Sequence, residues 1–565
     1  MYKKIIAMLL ALALALAAAG CSGGSAAVSG SKPAKTPAAQ STVDLTDVAA
    51  SFVFSGTGVT AAGDTDSYTL DGTALTIHKP GSYLFSGVCE NGSIKVKKGT
   101  TGVTLLLNGL ELTSTDTAPI VCAKSTEVTI LAVADTVNTL TDSERNNDDD
   151  FPENENAENA VIKCKDGSQV VLCGSGTLNL AAKGKNGIKS GSALDGRDAC
   201  LTIRELTLDI DAPVNDAVNA EQCLNIESGS ISIFAGDDAL HSDLVLNVGA
   251  EGTAGPAIDI TDCEEGIEGA ELNIFSGEIS IRSNDDCLNA ANSDLGDYPF
   301  VMNISGGRIT AYSVDGDGFD SNGDLNISGG YVEVWTANRA DNQPLDADGT
   351  VSITGGTVLA AGGSSGMGLT LITEQGCVSY GSSSGRAEHR MDAPGAPGAD
   401  GEMPFAAAPF DEAAQRPDSL PEGETPPEMP LDPLPTDSPA LRPEPPQPDG
   451  ETPPELPEAP EGENFAFFGD PMEMGGAERI LHEGTEFALT ADDGTTVFAG
   501  TAMCDLGYLF FCAPELQPES SYSLMTDGTA LQTTTAQSGT VSTAMQGGPL
   551  FQPMQKLSDF KKHSN

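Results

Sequence analysis

A five-residue phrase recurs through residues 184–363 as Asn186-Gly-Ile-Lys-Ser, Asp216-Ala-Val-Asn-Ala, Asp238-Ala-Leu-His-Ser, Glu265-Gly-Ile-Glu-Gly, Asp286-Cys-Leu-Asn-Ala, Asp317-Gly-Phe-Asp-Ser and a degraded Gln343-Pro-Leu-Asp-Ala. Each copy of this repeated phrase holds an acidic or amide residue, a small residue, an apolar residue, any residue and a second small residue. The apolar members lie about 26 residues apart on average, a period typical of solenoids and propellers.

Two further alternating segments follow the repeated phrase in most copies. The first reads Leu224-Asn-Ile, Leu272-Asn-Ile, Met302-Asn-Ile or Leu325-Asn-Ile, and a Ser-Gly turn leads to the second, such as Ile279-Ser-Ile. Three short strands with period-two alternation and no amphipathic helical segment indicate a coil that turns a corner after each strand. One coil cannot bury its own apolar face, so the coils must stack. The sequence therefore predicts an all-β right-handed parallel β-helix, a solenoid with three short strands per coil.

The asparagines of the Leu-Asn-Ile segments should point away from the core, because both neighbours are apolar. Asn225, Asn273, Asn303 and Asn326 are expected to form a hydrated face, with a stacked hydrogen-bonding ladder as the alternative.

The N-terminus carries the pattern of an export signal. Lys3 and Lys4 precede an apolar run and the small residues before Cys21. This pattern resembles a bacterial lipoprotein signal, which implies that residues 1–20 are removed, that Cys21 is lipidated, and that the protein lies on the extracellular face of the membrane or is secreted. Residues 21–50 are expected to be a flexible tether.

The formal net charge of −54 excludes nucleic acid as a partner, because phosphates would be repelled. An acidic polysaccharide would meet the same repulsion unless a cation bridged it to the protein. We expect an extracellular polysaccharide as partner and a monomeric chain.

Several motifs occur in a fixed order before and within the repeats. They are Gly81-Ser-Tyr-Leu-Phe-Ser-Gly, Gly102-Val-Thr-Leu-Leu-Leu-Asn-Gly, Asp135-Thr-Val-Asn-Thr-Leu-Thr-Asp, Gly174-Ser-Gly-Thr-Leu-Asn-Leu and Gly184-Lys-Asn-Gly-Ile-Lys-Ser. Together they resemble the bacterial carbohydrate-binding domain-containing proteins over roughly residues 65–375. The resemblance implies a right-handed parallel β-helix shaped like pectate lyases, calcium binding, and recognition of cellulosic or pectic polymers.

Composition divides the chain further. Residues 51–375 are predicted to form the β-helix, and the Pro- and Glu-rich residues 376–475 a disordered linker or insertion. Residues 476–545 alternate between turns and are predicted to form a small β unit, either a cap of the solenoid or a separate module; residues 546–565 are expected to be unstructured. Cys200, Cys223, Cys263 and Cys287 are expected to be small buried core residues, although disulfides (Cys164 with Cys173, or Cys504 with Cys512) stay open.

Acidic residues recur at the start of the repeated phrase, so stacked coils would place carboxylates about 4.8 Å apart. Calcium takes six to eight oxygen ligands and would relieve the repulsion. The alternative is a row of solvated acidic turns. The predicted calcium ligands are Asp216, Asp237, Asp238, Glu264, Glu265, Asp285, Asp286, Asp315, Asp317, Asp320 and Asp341.

A glycan platform is predicted from Tyr312, Tyr331 and Trp335, in a chain with 5% aromatic residues and one tryptophan. These side chains could equally fill the interior. No nucleophile–base constellation is apparent, so no catalytic residue is assigned and the chain is predicted not to be an enzyme. A calcium-dependent polysaccharide lyase of the pectate-lyase type and a passive surface adhesin are the alternatives.

Overall fold

The computed structural model describes residues 44–296, 298–337, 342–362, 370–381 and 479–542. Apart from the 3-10 turn Thr65–Ser67, its secondary structure consists of strands, so the predicted all-β class is confirmed. The chain divides into two units, Met1–Ser383 with Met474–Asn565, and Ser384–Glu473. The second unit, the predicted signal at 1–20 and the tail at 546–565 lie outside the described residues. Within the described ranges, no helix has the length and apolar character needed to span a bilayer.

The N-terminal half of the described chain contains nineteen strands. In chain order they are β1 Ala50–Gly56, β2 Gly58–Gly63, β3 Tyr68–Asp71, β4 Ala74–Ile77, β5 Gly81–Cys89, β6 Ser93–Val96, β7 Val103–Thr113, β8 Ile120–Cys122, β9 Glu127–Ala132, β10 Val137–Thr141, β11 Ala160–Cys164, β12 Gln169–Cys173, β13 Thr177–Ala181, β14 Asn186–Ser190, β15 Cys200–Ile203, β16 Leu206–Ala212, β17 Val218–Ala220, β18 Cys223–Ile226 and β19 Gly229–Ala235.

The remaining strands continue the same succession and end in the C-terminal segment. They are β20 Leu240–Val248, β21 Ala257–Asp262, β22 Ile267–Ile274, β23 Glu278–Ser283, β24 Leu288–Ala290, β25 Val301–Ile304, β26 Arg308–Ser313, β27 Phe319–Ser321, β28 Asp324–Ile327, β29 Tyr331–Thr336, β30 Val351–Ile353, β31 Thr357–Gly362, β32 Thr370–Gly381, β33 Glu486–Ala491, β34 Thr496–Thr501, β35 Tyr508–Ala513, β36 Ser521–Thr526, β37 Thr529–Thr535 and β38 Gln537–Ser542.

Parallel pairing links equivalent strands of successive repeats into three ladders. The first ladder contains the repeated phrase and runs β8–β11–β14–β17–β20–β22–β24–β27. The second runs β9–β12–β15–β18–β20–β22–β25–β28–β30–β32. The third runs β10–β13–β16–β19–β21–β23–β26–β29–β31. Strands β20 and β22 are long enough to belong to both of the first two ladders. The first part of each strand pairs in the first ladder, and the last part pairs in the second.

The three ladders share one apolar core. Strand β16 alternates strictly between buried and exposed residues, as a strand with one buried face must. The apolar residue of each repeated phrase is fully buried, from Ile188 through Leu240 to Phe319. In-register pairing places each such residue against its counterpart in the next repeat, for example Leu240 against Ile267. The core is therefore a stack of like apolar side chains.

An asparagine ladder runs along the second ladder of strands. The Asn247 amide donates to Asn225 (2.9 Å), and Asn273 donates to Asn247 (3.0 Å). Asn303 donates to Asn273 (2.9 Å), and Asn326 to Asn303 (3.1 Å). The hydrated face favoured from sequence is therefore wrong for these residues, because each amide is both donor and acceptor and can satisfy the next one along the stack.

The C-terminal strands fall into two groups. Strand β35 pairs antiparallel with both β31 and β32, and β38 pairs with β32. Strands β34, β33, β36 and β37 form a separate four-stranded antiparallel sheet. A second apolar cluster joins the two groups, in which Trp335 packs with Phe487 and Phe511.

We expect Ile279→Ala, in the third ladder, to destabilise the chain by about 2–5 kcal/mol, because it leaves a cavity in a closely packed core. Val137→Ala is the matched control: this residue is in the same ladder and 61% exposed, so its truncation should cost less than about 0.5 kcal/mol. Urea unfolding followed by far-ultraviolet circular dichroism measures both. Equal midpoints for the two variants would contradict the stacked core.

Candidate metal and carbohydrate site

The first residues of the repeated phrase stack into one line, called here the acidic column. The Ala217 N–H donates to the Asp238 carbonyl (2.9 Å), and the Ala239 N–H donates to the Glu265 carbonyl (2.9 Å). The same backbone bonding continues toward the C-terminus. The column consists of Asn186, Asp216, Asp238, Glu265, Asp286, Asp317 and Gln343.

The fourth residues of the phrase form a second line beside it, called here the fourth-residue column. Strand register places Asn219 against His241, His241 against Glu268, and Asn289 against Asp320. The bridge between Phe319 and Leu345 puts Asp346 one step further on. The column, from its N-terminal end, is Lys163, Lys189, Asn219, His241, Glu268, Asn289, Asp320 and Asp346.

Amides from the fourth-residue column satisfy some of the carboxylates. Asn219 donates to Asp216, which is 3% exposed. Asn289 donates to Glu265 across a coil boundary (2.9 Å). Burial and repulsion from neighbouring carboxylates nevertheless raise the pKa of Glu265 to about 8. One amide therefore does not offset the crowding of charge.

The side chain of His241 lies among carboxylates in the middle of the two columns. His241 Nδ1 lies 3.0 Å from Asp238 Oδ2, its Nε2 lies 2.9 Å from Asp243 Oδ1, and Glu268 also contacts Nδ1. Burial disfavours the imidazolium, but hydrogen bonds to Asp238, Asp243 and Glu268 together raise the pKa of His241 to about 12. The charged ring thus neutralises part of the carboxylate cluster around it.

Three carboxylates converge at the C-terminal end of the columns. One oxygen from each of Asp317, Asp320 and Asp346 lies within 4.8 Å of the others. Burial raises the pKa of Asp317 to about 7, and repulsion from Asp346, Asp320 and Asp285 adds to it, against one donated backbone hydrogen bond from Gln343 (2.6 Å). Burial and nearby carboxylates likewise raise the pKa of Asp286 to about 7. This group, the three-carboxylate cluster, concentrates negative charge in a partly buried place.

The structure brings together only part of the predicted ligand set. Asp317 and Asp320 meet in the three-carboxylate cluster, and Asp238 meets His241 instead. The first member of each acidic doublet is exposed; these residues are Asp237, Glu264, Asp285 and Asp315. Asp341 lies outside the described residues.

The predicted aromatic platform is reduced to two rings. Trp335 is 1% exposed, because Phe487 and the C-terminal sheet cover it. The guanidinium of Arg308 lies 4.0 Å from the ring centre of Tyr331, and that of Arg282 lies 5.3 Å from the ring centre of Tyr312. Both tyrosines stay partly exposed, so they could still contact a sugar at their uncovered surfaces.

A lysine-lined cavity of about 280 Å³ opens at the opposite end of the fourth-residue column. Lys124 pairs with Asp166 (2.6 Å) and Lys165 with Glu158 (2.7 Å). Lys163 also lines the cavity, and burial together with repulsion from Lys189 lowers its pKa. The cavity is also lined by Asp148, Glu158 and Asp166, of which the last two pair with Lys165 and Lys124. Lys163, which is partly buried, is therefore the lysine of this cavity that has no ion pair among the described residues.

The family model for carbohydrate-binding domain-containing proteins matches residues 71–366, more than half of the chain. The chain belongs to this family. All three ladders, both columns and the lysine-lined cavity of this carbohydrate-binding domain lie within or directly beside the matched residues.

Two similar proteins illustrate the relationship. A carbohydrate-binding domain-containing protein from Acetivibrio thermocellus is 31% identical over 163 residues, which is 29% of this chain and 55% of that protein. The chain thus spans about half the length of this relative. A solved structure of the polysaccharide lyase-like protein from C. thermocellum, a gadolinium derivative, is 24% identical and aligns with 55% of this chain and 93% of its own, with a TM-score of 0.29. A TM-score that low supports no conclusion about this chain.

Sequence reasoning missed the fourth-residue column of this carbohydrate-binding domain. It treated the fourth position of the repeated phrase as any residue, although every copy carries a polar one there. That regularity was the available signal for His241, Glu268 and Asp346. Lys163 precedes the first copy of the phrase and gave no such signal.

In EDTA, we expect stability to fall as the pH rises from about 5 to about 8. Asp286 and Asp317 have folded-state pKa values of about 7, above the ordinary value near 3.9. Between these two pKa values the folded state holds protons that the unfolded state has released. The stability that this proton binding contributes is fully present below the ordinary pKa and is lost as the pH rises through the folded-state pKa. Urea midpoints across this pH range measure the slope.

Asp317→Asn should make that slope shallower, because a neutral amide cannot titrate, while Asp286 still does. Asp237→Asn, at the exposed position of the doublet three repeats earlier, is the matched control and should keep the wild-type slope. If the urea midpoint of the wild-type protein rises with pH in EDTA, the raised pKa values assigned to Asp286 and Asp317 are wrong.

Proposed function

We propose that this chain is an exported, non-enzymatic protein that binds extracellular polysaccharide on a right-handed parallel β-helix carrying calcium. Membership of the carbohydrate-binding family supports the glycan partner. The observation that carries the calcium part is the convergence of Asp317, Asp320 and Asp346, to which no side-chain amide among the described residues donates as Asn289 does to Glu265.

The pairing pattern supports the β-helix. Equivalent strands are parallel, in register and joined by continuous residues, so the chain advances by one strand spacing per repeat. Parallel crossovers are right-handed in nearly all known cases. Strands β35 and β38 add antiparallel to the last ladder strands, and we propose that they and the sheet of β33, β34, β36 and β37 form a cap, because an unpaired sheet end invites aggregation.

The three-carboxylate cluster fits a hard divalent cation. Calcium oxygens lie about 2.3–2.6 Å from the ion, so two ligand oxygens of one ion are at most about 5 Å apart, and these three oxygens, each within 4.8 Å of the others, meet that limit. Around His241 the imidazolium already supplies positive charge. We therefore place calcium at Asp317, Asp320 and Asp346, with Asp285 and Asp286 as the nearest further carboxylates acting on them.

We propose that the preferred glycan carries carboxylates, as pectic polymers do. The chain's charge of −54 repels such a polymer except where a cation receives it. Lys163 in the lysine-lined cavity can pair with a uronate directly, and calcium with open coordination positions can bridge a second one. A neutral cellulosic glycan would use neither feature.

A lyase is the second candidate, because a lysine with a lowered pKa can act as a general base. In the fourth-residue column, however, Lys163 and Asp320 are separated by Lys189, Asn219, His241, Glu268 and Asn289. Six strand spacings amount to about 29 Å. A base and a calcium ion that far apart cannot act on the same sugar, which favours binding without cleavage.

We further propose that the mature chain is a monomer held to the membrane by lipid on Cys21. Fractionation tests the anchor: Cys21→Ser should move the protein from the membrane to the soluble fraction. Retention of the variant in the membrane would exclude this anchor.

Isothermal titration against polygalacturonate and against cello-oligosaccharides, in calcium and in EDTA, tests the function. We expect polygalacturonate binding that weakens about tenfold or more in Lys163→Met and in EDTA, since a charged contact contributes roughly 1.5–3 kcal/mol. Asp317→Asn should lose the calcium effect, and Asp237→Asn, the exposed control, should keep it.

The other results are equally informative. Ultraviolet absorbance from unsaturated products would establish a lyase. Binding of cello-oligosaccharides without binding of polygalacturonate would show that the protein binds neutral glycans. The absence of binding heat with either polymer would favour a passive adhesin.

A further inference from the structure

Cys200 and Cys223 occupy positions that the sequence did not suggest. Both begin four-residue strands, β15 and β18, in which residues two and four are buried and residues one and three are half-exposed. The expectation that these two cysteines lie in the core is therefore wrong, whereas Cys263 and Cys287 are buried as expected. Alternation along a strand places the first residue on the outer face once Leu201 and Leu224 point inward.

The two thiols lie against each other on that outer face. Leu201 pairs with Leu224, so the residues immediately before them are also neighbours in the ladder. Cys200 Sγ and Cys223 Sγ are 2.6 Å apart, about 0.6 Å longer than a covalent S–S bond. Paired parallel strands are about 4.8 Å apart, inside the Cα separation that disulfides span. The strand spacing therefore meets the Cα distance requirement for a disulfide.

We propose that Cys200 and Cys223 form a reversible disulfide that links two successive coils on the outer surface. This modification site is independent of calcium and of glycan binding. It closes a loop of 23 residues between the two strands.

The chemistry is thiol–disulfide exchange with an external disulfide, either a small molecule or an oxidoreductase. The Cys223 thiolate attacks one sulfur of the oxidant and displaces one thiolate, which gives a mixed disulfide. The Cys200 thiolate then attacks Cys223 Sγ and releases the second thiolate. The two cysteines lose two protons and two electrons in total, and the oxidant is reduced to two thiols.

The surroundings favour the attacking thiolate. Hydrogen bonds, from Cys200 first and from Asn225 in addition, lower the pKa of Cys223, whereas the same contact raises the pKa of Cys200, so Cys223 is the first thiolate to form. Exposure adds selectivity: Cys122 and Cys164 are also in register, but both are fully buried, so an oxidant in solvent does not reach them.

The disulfide would stiffen one wall of a groove. Gln169 pairs with Cys200, and Gln169, Arg197 and Asp198 line a groove of about 610 Å³ beside it. Gln222, next to Cys223, donates to Asp198 Oδ1 (3.0 Å) and accepts from the Ala199 N–H (2.7 Å). A covalent link between Cys200 and Cys223 therefore fixes the segment that carries Arg197 and Asp198.

Peptide mapping of the full chain tests the proposal. The reduced protein is freed of reductant, incubated with oxidised glutathione, alkylated with iodoacetamide under denaturing conditions, and digested with trypsin and a glutamyl protease. Cleavage after Arg197, Arg204, Glu221 and Glu227 isolates residues 198–204 and 222–227, each with one cysteine. We expect these two peptides joined, with the mass of two hydrogen atoms missing, and separated again by dithiothreitol.

Single variants supply the controls. Cys200→Ser and Cys223→Ser should each stop at the stable mixed disulfide with glutathione, and Cys122 should be alkylated in every sample. Full alkylation of both cysteines in the oxidised wild type would overturn the proposal. So would a joined peptide in which either cysteine is linked to a different one.

Discussion

In-register stacking of parallel strands is the constraint on which the rest of the structure depends. Each side chain lies about one strand spacing from the equivalent side chain of the next repeat. Apolar residues such as Leu240 and Ile267 gain a continuous core from this arrangement, and asparagines such as Asn247 and Asn273 gain a hydrogen-bonded ladder. Carboxylates gain nothing from it, because like charges are brought together at a fixed distance.

The chain meets that repulsion in different ways along one line. Asn219 and Asn289 donate amides to adjacent carboxylates, and His241 places a cation among three of them. At Asp317, Asp320 and Asp346 the proposed function assigns this role to a calcium ion from outside. Burial first, and the neighbouring carboxylates in addition, raise the pKa of Asp317 to about 7, so this carboxyl retains its proton to a higher pH than an exposed one.

The fourth-residue column also changes sign from one end to the other. It begins at Lys163 and Lys189 and ends at Asp320 and Asp346. Under the proposed function, an acidic polymer would contact the two ends differently, through an amine at one and through a metal ion at the other. Such a polarity would allow a strongly negative protein to bind an acidic partner.

The sequence predicts the all-β class and the line of the acidic column, because both follow from a repeat that is visible in the chain. It does not predict the burial of Trp335, since the covering Phe487 lies about 150 residues away in sequence. Alternation along a strand places Trp335 and Tyr331 on one face, but nothing local reveals what packs on that face. The outward position of Cys200 and Cys223 was missed for a different reason: their apolar character was weighed above their place in the alternation.

Anomalous scattering from crystals grown with calcium tests the central claim most directly. The account predicts a peak among Asp317, Asp320 and Asp346, about 2.3–2.6 Å from their oxygens, and no peak at His241, whose charge already fills that role. Calcium absent from the three-carboxylate cluster, or bound at Asp238 and Glu268 with His241 displaced, would contradict it.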